Sequence, residues 1–282
     1  MLAAATLTLT GCGSDENGIA EPQLQEKTAQ LELRLTGSGV NTKTTGSALP
    51  TQAEENTLKR FTVAIFNSDN SVNAIQTITT NMTSATTINC TPAAGCTGIV
   101  VANAPTDNYF AGVLNKTDFL KKTIALADAQ AKDCLPMSGA VKDGSGNTTF
   151  TLSAGSNTGM TAQLLRLVAR GSISSIKTAF DPNGQYAAAS YELKNIFVRN
   201  AMQEAVPGTG GYSTTKMGTP AYLTGNYDKS SGTVAYLANS VTPPVDVSAE
   251  HKTDYWFYIL PNEETTHTAS VSYTHLTLPT KA

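Results

Sequence analysis

Residues Gln30–Phe66 read QLELRLTGSGVNTKTTGSALPTQAEENTLKRFTVAIF, and this stretch decides the fold. Leu31, Leu33 and Leu35 alternate with Glu32, Arg34 and Thr36. Such period-two alternation predicts a strand with one face in a core. A polar run rich in Gly and Thr follows, with Lys43 in its middle, and a second strand opens at Phe61. A trypsin-like protease finds a basic residue to cut in that connection, and a strand freed there leaves a groove. Burying one leucine side chain is worth about 1.5–3 kcal/mol, so three contribute roughly 5–9 kcal/mol to whatever strand refills the groove. Taken alone, the same residues also fit a plain first strand and a loop, and only the rest of the chain separates the two readings.

Working outward, the 282 residues leave room for one large or two ordinary domains. The chain is 40% hydrophobic, enough for a core, and only 15% charged, and its Thr, Ser, Gly and Asn content favours β-structure with polar outer faces. The net charge of −3 comes with no basic cluster, which excludes a nucleic-acid surface. Chemistry is equally thin. The three histidines, His251, His267 and His275, all lie near the C-terminus, so no zinc helix of the H-E-x-x-H kind exists and no histidine of the first half serves a nucleophile. Glu263 and Glu264 are adjacent, and their side chains diverge rather than flank one bond. Gly208–Gly211 lacks the Lys-Ser/Thr of a phosphate loop. The sequence therefore predicts no catalytic residue, no metal and no cofactor.

The N-terminus is distinctive. Met1–Thr10 is apolar and small, and Leu9-Thr10-Gly11-Cys12 resembles a bacterial lipobox, with Cys12 the acylated residue. The basic residues that open such signals are missing, and we expect the true start to lie upstream. Two acyl chains anchor stably where one is marginal. Gly13–Asn17 is short and acidic, and residues 13–29 read as a polar tether. Cys90 and Cys96 bracket Thr-Pro-Ala-Ala-Gly, a turn that brings both ends together for a local disulfide in an oxidising compartment. The spacing is wrong for a zinc knuckle. Cys134 is left over as a small buried hydrophobe.

Phe61–Asn67 is apolar at nearly every position and predicts a central strand, with Ser71–Thr79 as its hairpin partner across Ser68-Asp69-Asn70. Thr51–Asn56 fits a helical turn. Ile99–Ala102 and Tyr109–Leu114 read as strands. Leu120, Ile124, Ala127 and Ala131 share a helical face and predict one amphipathic helix over Asn115–Lys132. Leu135–Val141 and Thr148–Leu152 read as strands, and Gly155–Gly159 as a turn. Within Gln163–Ile176 a strand is expected to pair with Tyr191–Met202 around Asp181–Gly184. Glu204–Pro220 is the linker candidate. Asp254–Leu260, DYWFYIL, reads as a strand of a second domain or as a carbohydrate-stacking platform.

In order along the chain stand the lipobox, QLELRLTGSGVNTK, EENTLKRFTVAIFN, LPMSG, LLRLVARGSI, YELKNIFVRNA and YWFYILPNEE. Together they resemble the major fimbrillins of Bacteroidales-like bacteria, the type V pilins, over roughly residues 9–270. The resemblance implies an all-β chain of two transthyretin-like β-sandwich domains with one short helix in the first. We expect the divisions 1–12 signal, 13–29 tether, 30–205 first sandwich and 206–270 second sandwich. Residues 271–282, VSYTHLTLPTKA, resemble a non-native tail, so the second domain is expected to be incomplete and its donor strand missing.

The resemblance further implies export as a lipoprotein to the outer membrane and cell surface, and maturation by a trypsin-like protease after Lys43, with Arg34 the poorer site. The strand carrying Leu31, Leu33 and Leu35 would then be displaced and replaced by a strand of another fimbrial subunit. Attachment to a host surface or glycan follows as the role. Were that strand to sit mid-sheet, paired on both sides and unreachable by proteases at Lys43, the pilus reading would collapse. The alternatives are an anchor or tip subunit of the same fibre, or a surface glycan-binding lipoprotein.

Overall fold

Alternation and turn residues place the strands in sequence, and pairing then decides which become neighbours. The computed structural model describes residues 28–37, 50–80, 85–187, 189–208, 211–213, 222–225 and 235–261. Cys12, Lys43 and the 271–282 segment lie outside the described residues. The first region carries β1 (Ala29–Gly37), α1 (Gln52–Glu55), β2 (Phe61–Phe66), β3 (Val72–Ile78), β4 (Ala85–Cys90), β5 (Ala93–Ala102), α2 (Lys116–Leu120), β6 (Ile124–Ala125), β7 (Met137–Lys142), β8 (Thr149–Leu152) and β9 (Gly155–Arg166). The second carries β10 (Ala169–Ile176), β11 (Glu192–Phe197), β12 (Ala201–Met202), β13 (Glu204–Gly208), β14 (Gly211–Ser213), β15 (Tyr222–Leu223), β16 (Ala238–Asp246) and β17 (His251–Ile259).

One sheet runs β3-β2-β5-β7-β9-β1-β4, with β8 added on β5. It folds over so that β9, β1 and β4 face β2, β5 and β7 across a shared core of Leu31, Leu33, Leu35, Phe61, Val63, Ile65, Ile88, Val100, Val141 and Leu164. This is the expected sandwich. β2 is buried at every position, which explains its lack of a polar face. Phe61, Val63 and Ile65 enter the sandwich core, while Ala64 and Phe66 enter a second core on the outer face. That second core joins Phe110, Phe119, Ile124 and Leu126 to Leu193, Phe257 and Tyr258 of the later strands. Gly139 of the LPMSG run is required where β7 meets β9, because a Cβ there would overlap the Gln163 carbonyl.

Several expected elements differ. The 115–132 helix ends after Leu120; β6 and a 3-10 turn over Leu126–Ala129 follow. Strand and 3-10 turn together bury Ile124, Leu126 and Ala129 without a continuous helix. α1 also makes two short helices in the first region rather than one. Tyr109–Leu114 is a turn, with Gly112 at φ +76° and Phe110 stacked on Phe119 at 4.2 Å. Gly155–Gly159 is not a turn but the start of β9; its two positive-φ glycines accompany a bulge against β1. β10 pairs with β17 and β11 with β16, not with each other. The large sheet ends at Arg166, and β13 (Glu204–Gly208), within the expected linker, pairs back onto β6, so pairing draws no single line across the chain.

Candidate functional site

Ala29, Leu31, Leu33 and Leu35 of β1 point into the sandwich core, and Gln30, Glu32, Arg34 and Thr36 face solvent. The alternation read from sequence is therefore the alternation of the fold. β1 runs antiparallel to β4, from Ala29 opposite Cys90 to Arg34 opposite Ala85. On its other side it runs parallel to β9, from Ala29 opposite Gly155 to Gly37 opposite Leu164. Polar contacts add to the β9 side: Ser156 Oγ donates to Glu32 Oε1 at 2.7 Å, and Gly155 N donates to Thr28 O at 3.0 Å. β1 is thus held on both sides, contrary to what a loosely seated plug requires. Sequence could not show this, because β9 lies more than a hundred residues away and pairs in parallel. Arg34 sits within the paired backbone of the strand.

The far end of the 38–49 connection is fastened. Thr51 caps α1, its hydroxyl accepting from Glu54 N, while the Glu54 carboxylate accepts from Thr51 N, a reciprocal box. Glu54 also pairs with Lys132 at 2.6 Å, and the Lys132 ammonium with the Thr51 donors holds its carboxyl down at about 2. Glu55 is buried. Its Oε1 accepts from Arg170 Nη1 at 2.7 Å and from the Tyr258 hydroxyl at 2.8 Å. Arg170 Nη1 also donates to Pro50 O at 2.7 Å. The residue that resumes the chain after the connection is therefore tied to β10 and, through Glu55, to β17. The Thr51-Glu54 spacing announces the cap in sequence; nothing in sequence pairs Glu55 with Arg170 or Tyr258.

Cys90 ends β4 and Cys96 lies in β5, across the turn at Thr91-Pro92. Both are buried free thiols in the structure, and burial together with Cys96 pushes the Cys90 thiol up to about 11. In β17, Trp256 stands edge-on to Tyr258 with ring centroids 5.2 Å apart. A cavity of about 350 Å³ lies beside it, lined by Gln130, Tyr236, Asn239, Tyr255, Trp256 and Phe257.

Residues 29–170, which hold β1, its slot and the whole first sandwich, match the family described as major fimbrial subunit protein (FimA). The chain belongs to the major fimbrial subunit family. Solved structures agree in fold. A fimbrilin from Porphyromonas gingivalis superposes with a TM-score of 0.57 at 18% identity, over 88% of this chain and 71% of that one. A cell adhesion candidate from Parabacteroides distasonis gives 0.65 at 13% identity, over 91% and 76%. One from Bacteroides eggerthii gives 0.57 at 21% identity, over 89% and 77%. No match is found among curated proteins. This fimbrial subunit is a structural protein of the cell-surface fimbrium by family, and β1 is its candidate functional element.

Proposed function

We propose that this fimbrial subunit is exported to the outer membrane as a lipoprotein on Cys12, is cut by a trypsin-like protease after Lys43, and polymerises when a strand of another subunit replaces β1. Arg34 is the weaker cleavage site, because a backbone paired on both sides resists entry into a protease cleft. The observation that carries the reading is β1 itself: a first strand whose three leucines fill a slot between β9 and β4 and whose end leads directly into the 38–49 connection.

Pairing on both sides raises the cost of removal, and it offers the same two backbone edges to a replacement. Exchange is then close to balanced in contacts, and the connection decides its direction. While intact, it holds β1 at an effective concentration on the order of millimolar against any incoming strand. Once cut, β1 dilutes on release. The experiment is to cut the purified full chain in 38–49 and add a fluorescent peptide of sequence TAQLELRLTG, residues 28–37. Uptake by cut but not uncut protein supports exchange; equal uptake, or none, refutes it.

The cavity beside Trp256 favours one second reading, adhesion through a neutral sugar. Among the described residues, its lining offers aromatic rings and two carboxamides and no charged side chain, a chemistry suited to stacking on a pyranose face. A glycan array probed with the full chain and with Trp256→Ala tests it; saturable binding lost in the variant supports it, and identical profiles refute it.

A further inference from the structure

β4 has one ladder partner among the described residues, and that partner is β1. Exchange at β1 therefore deprives β4 of its backbone pairing and threatens one wall of the groove. β3 and β4 are the two ends of the sheet path and share no ladder. Asn73 of β3 bridges this seam. Asn73 Oδ1 accepts from Thr91 N at 2.9 Å, and Asn73 Nδ2 donates to Thr91 O at 2.9 Å. The carboxamide thus takes both hydrogen bonds that a paired strand would offer to the residue directly after β4. Its second N–H donates to Asn67 Oδ1 at 2.7 Å, and Asn67 Nδ2 in turn donates to Ser71 Oγ at 3.0 Å.

Asn is disfavoured inside strands, so its place in β3 calls for a reason. The register supplies one. Ala74 pairs with Ile65 and Val72 with Phe66, which leaves Asn73 as the extra residue of a bulge on an edge strand. Bulges at sheet edges re-aim a side chain. Here the side chain is aimed across the seam.

We propose that Asn73 is a positioning residue that keeps β4 in place as the second wall of the acceptor groove while β1 is exchanged, a role that rests on the exchange reading above. In the intact subunit β1 already holds β4, so the clasp matters little. With β1 gone, it fixes the C-terminal end of β4, and burial of Ile88 and Cys90 fixes the rest.

The test uses the full chain with a single-site protease sequence in 38–49, as wild type, Asn73→Ala and Asn73→Asp. Uncut, the variants should melt close to wild type. Cut, Asn73→Ala should bind the TAQLELRLTG peptide about ten-fold more weakly, the effect of losing one to two hydrogen bonds. Asn73→Asp keeps the bond from Thr91 N and should fall between. Hydrogen exchange over 85–90 should quicken only in the cut variants from which the β1 fragment has been removed. If the cut wild type takes up peptide and both variants match it, with 85–90 equally protected, the clasp is refuted and exchange stands. If no cut protein takes up peptide, exchange itself is refuted and the role of Asn73 with it.

Discussion

Arg170 Nη1 lies 2.7 Å from Glu55 Oε1, in a pair whose side chains keep only 11% and 6% of their exposure. Glu55 follows the connection behind β1, and Arg170 belongs to β10 of the later region. The pair therefore ties the segment that resumes the chain after the 38–49 connection to β10. Arg166 stands nearby, with Nη1 at 3.9 Å from Glu55 Oε2 and Nε donating to Glu55 O at 3.3 Å.

Removing one partner of a buried pair leaves an uncompensated charge and costs about 3–5 kcal/mol. Arg170→Met should fall at the low end of that range, because Arg166 and the Tyr258 hydroxyl remain near Glu55. Glu55→Gln keeps the shape and removes the charge, and should cost less than Glu55→Ala. Denaturant unfolding of the three variants checks this order. A loss below about 0.5 kcal/mol for Arg170→Met, the level of an ordinary surface change, would show the pair to be incidental.

The slot of β1 makes a sharper contrast between neighbours. Leu33→Ala deletes a buried side chain from the core it shares with Val63 and Leu164, and should destabilise by about 2–5 kcal/mol. Glu32→Ala, on the solvent face, should stay within about 0.5 kcal/mol. Thermal unfolding of the uncut chain separates them. In peptide uptake by the cut chain, a TAQLELRLTG peptide with the Leu33 substitution should compete poorly, and one with the Glu32 substitution should compete as well as the parent.

The faces of β1 and β2 were legible because burial writes itself locally, as alternation in one and a continuous apolar run in the other. The β2–β3 hairpin was legible from Ser68-Asp69-Asn70, where Asn70 takes φ +67°. Partners of high sequence separation were not. Nothing in Leu31–Leu35 names β9, and nothing in Ala169–Ile176 names β17, since the period-two pattern reports a buried face and not the neighbour on either edge. The 115–132 helix was misread for a related reason. Leu120, Ile124, Ala127 and Ala131 imitate one face of a helix, yet Ala127 and Ala131 are exposed, and the buried pair is Ile124 and Leu126, two apart in a two-residue strand and a 3-10 turn. Asn73 and Glu55 went unnoticed because each looks like an ordinary polar residue until its partner across the fold is known.

Alkaline pH should reveal the environment of Cys90. Burial, with Cys96 adjacent, raises its thiol to about 11 from the ordinary 9.0. A raised acid favours the protonated folded state, so its contribution is complete below pH 9 and is lost as pH rises from there through about 11. Burial and the Glu55 contact also raise Tyr258, from an ordinary 10.0, so its loss begins at higher pH than that of Cys90. At pH 9 the thiolate fraction of Cys90 is about fifty-fold below that of an ordinary thiol. Iodoacetamide labelling followed by mass spectrometry should therefore find Cys90 lagging far behind the half-buried Cys134. Equal rates would contradict the burial. Peptide mapping without reductant on protein from an oxidising compartment tests the proposed Cys90–Cys96 bridge.

Acid pH should act late on α1. The Lys132 ammonium and the Thr51 donors lower the Glu54 carboxyl from 4.5 to about 2. A lowered acid contributes above its ordinary value and is lost as pH falls through the shifted one. The Thr51–Glu54 box and the Lys132 pair should persist at pH 4 and open near pH 2. Carboxyl chemical shifts followed by NMR against pH check this, and Lys132→Ala should move the Glu54 midpoint upward. A midpoint unmoved by that substitution would detach Lys132 from the fastening.

Maturation gives the last test. Limited trypsin on the full chain should cut the 38–49 connection first, since Arg34 is inside a strand paired on both sides and Arg166 and Arg170 are engaged with the α1 region. Lys43→Gln should suppress that first cut. The cut chain should stay assembled at neutral pH, because the slot of Leu31, Leu33 and Leu35 is not touched by cleavage, and the fragment should leave only when denaturant or a competing strand is added. Mass spectrometry of the first products, with size exclusion before and after adding the TAQLELRLTG peptide, reads both steps. A first cut at Arg34, or spontaneous loss of the fragment from the cut chain, would mean that β1 is held far more weakly than its two ladders and buried leucines imply.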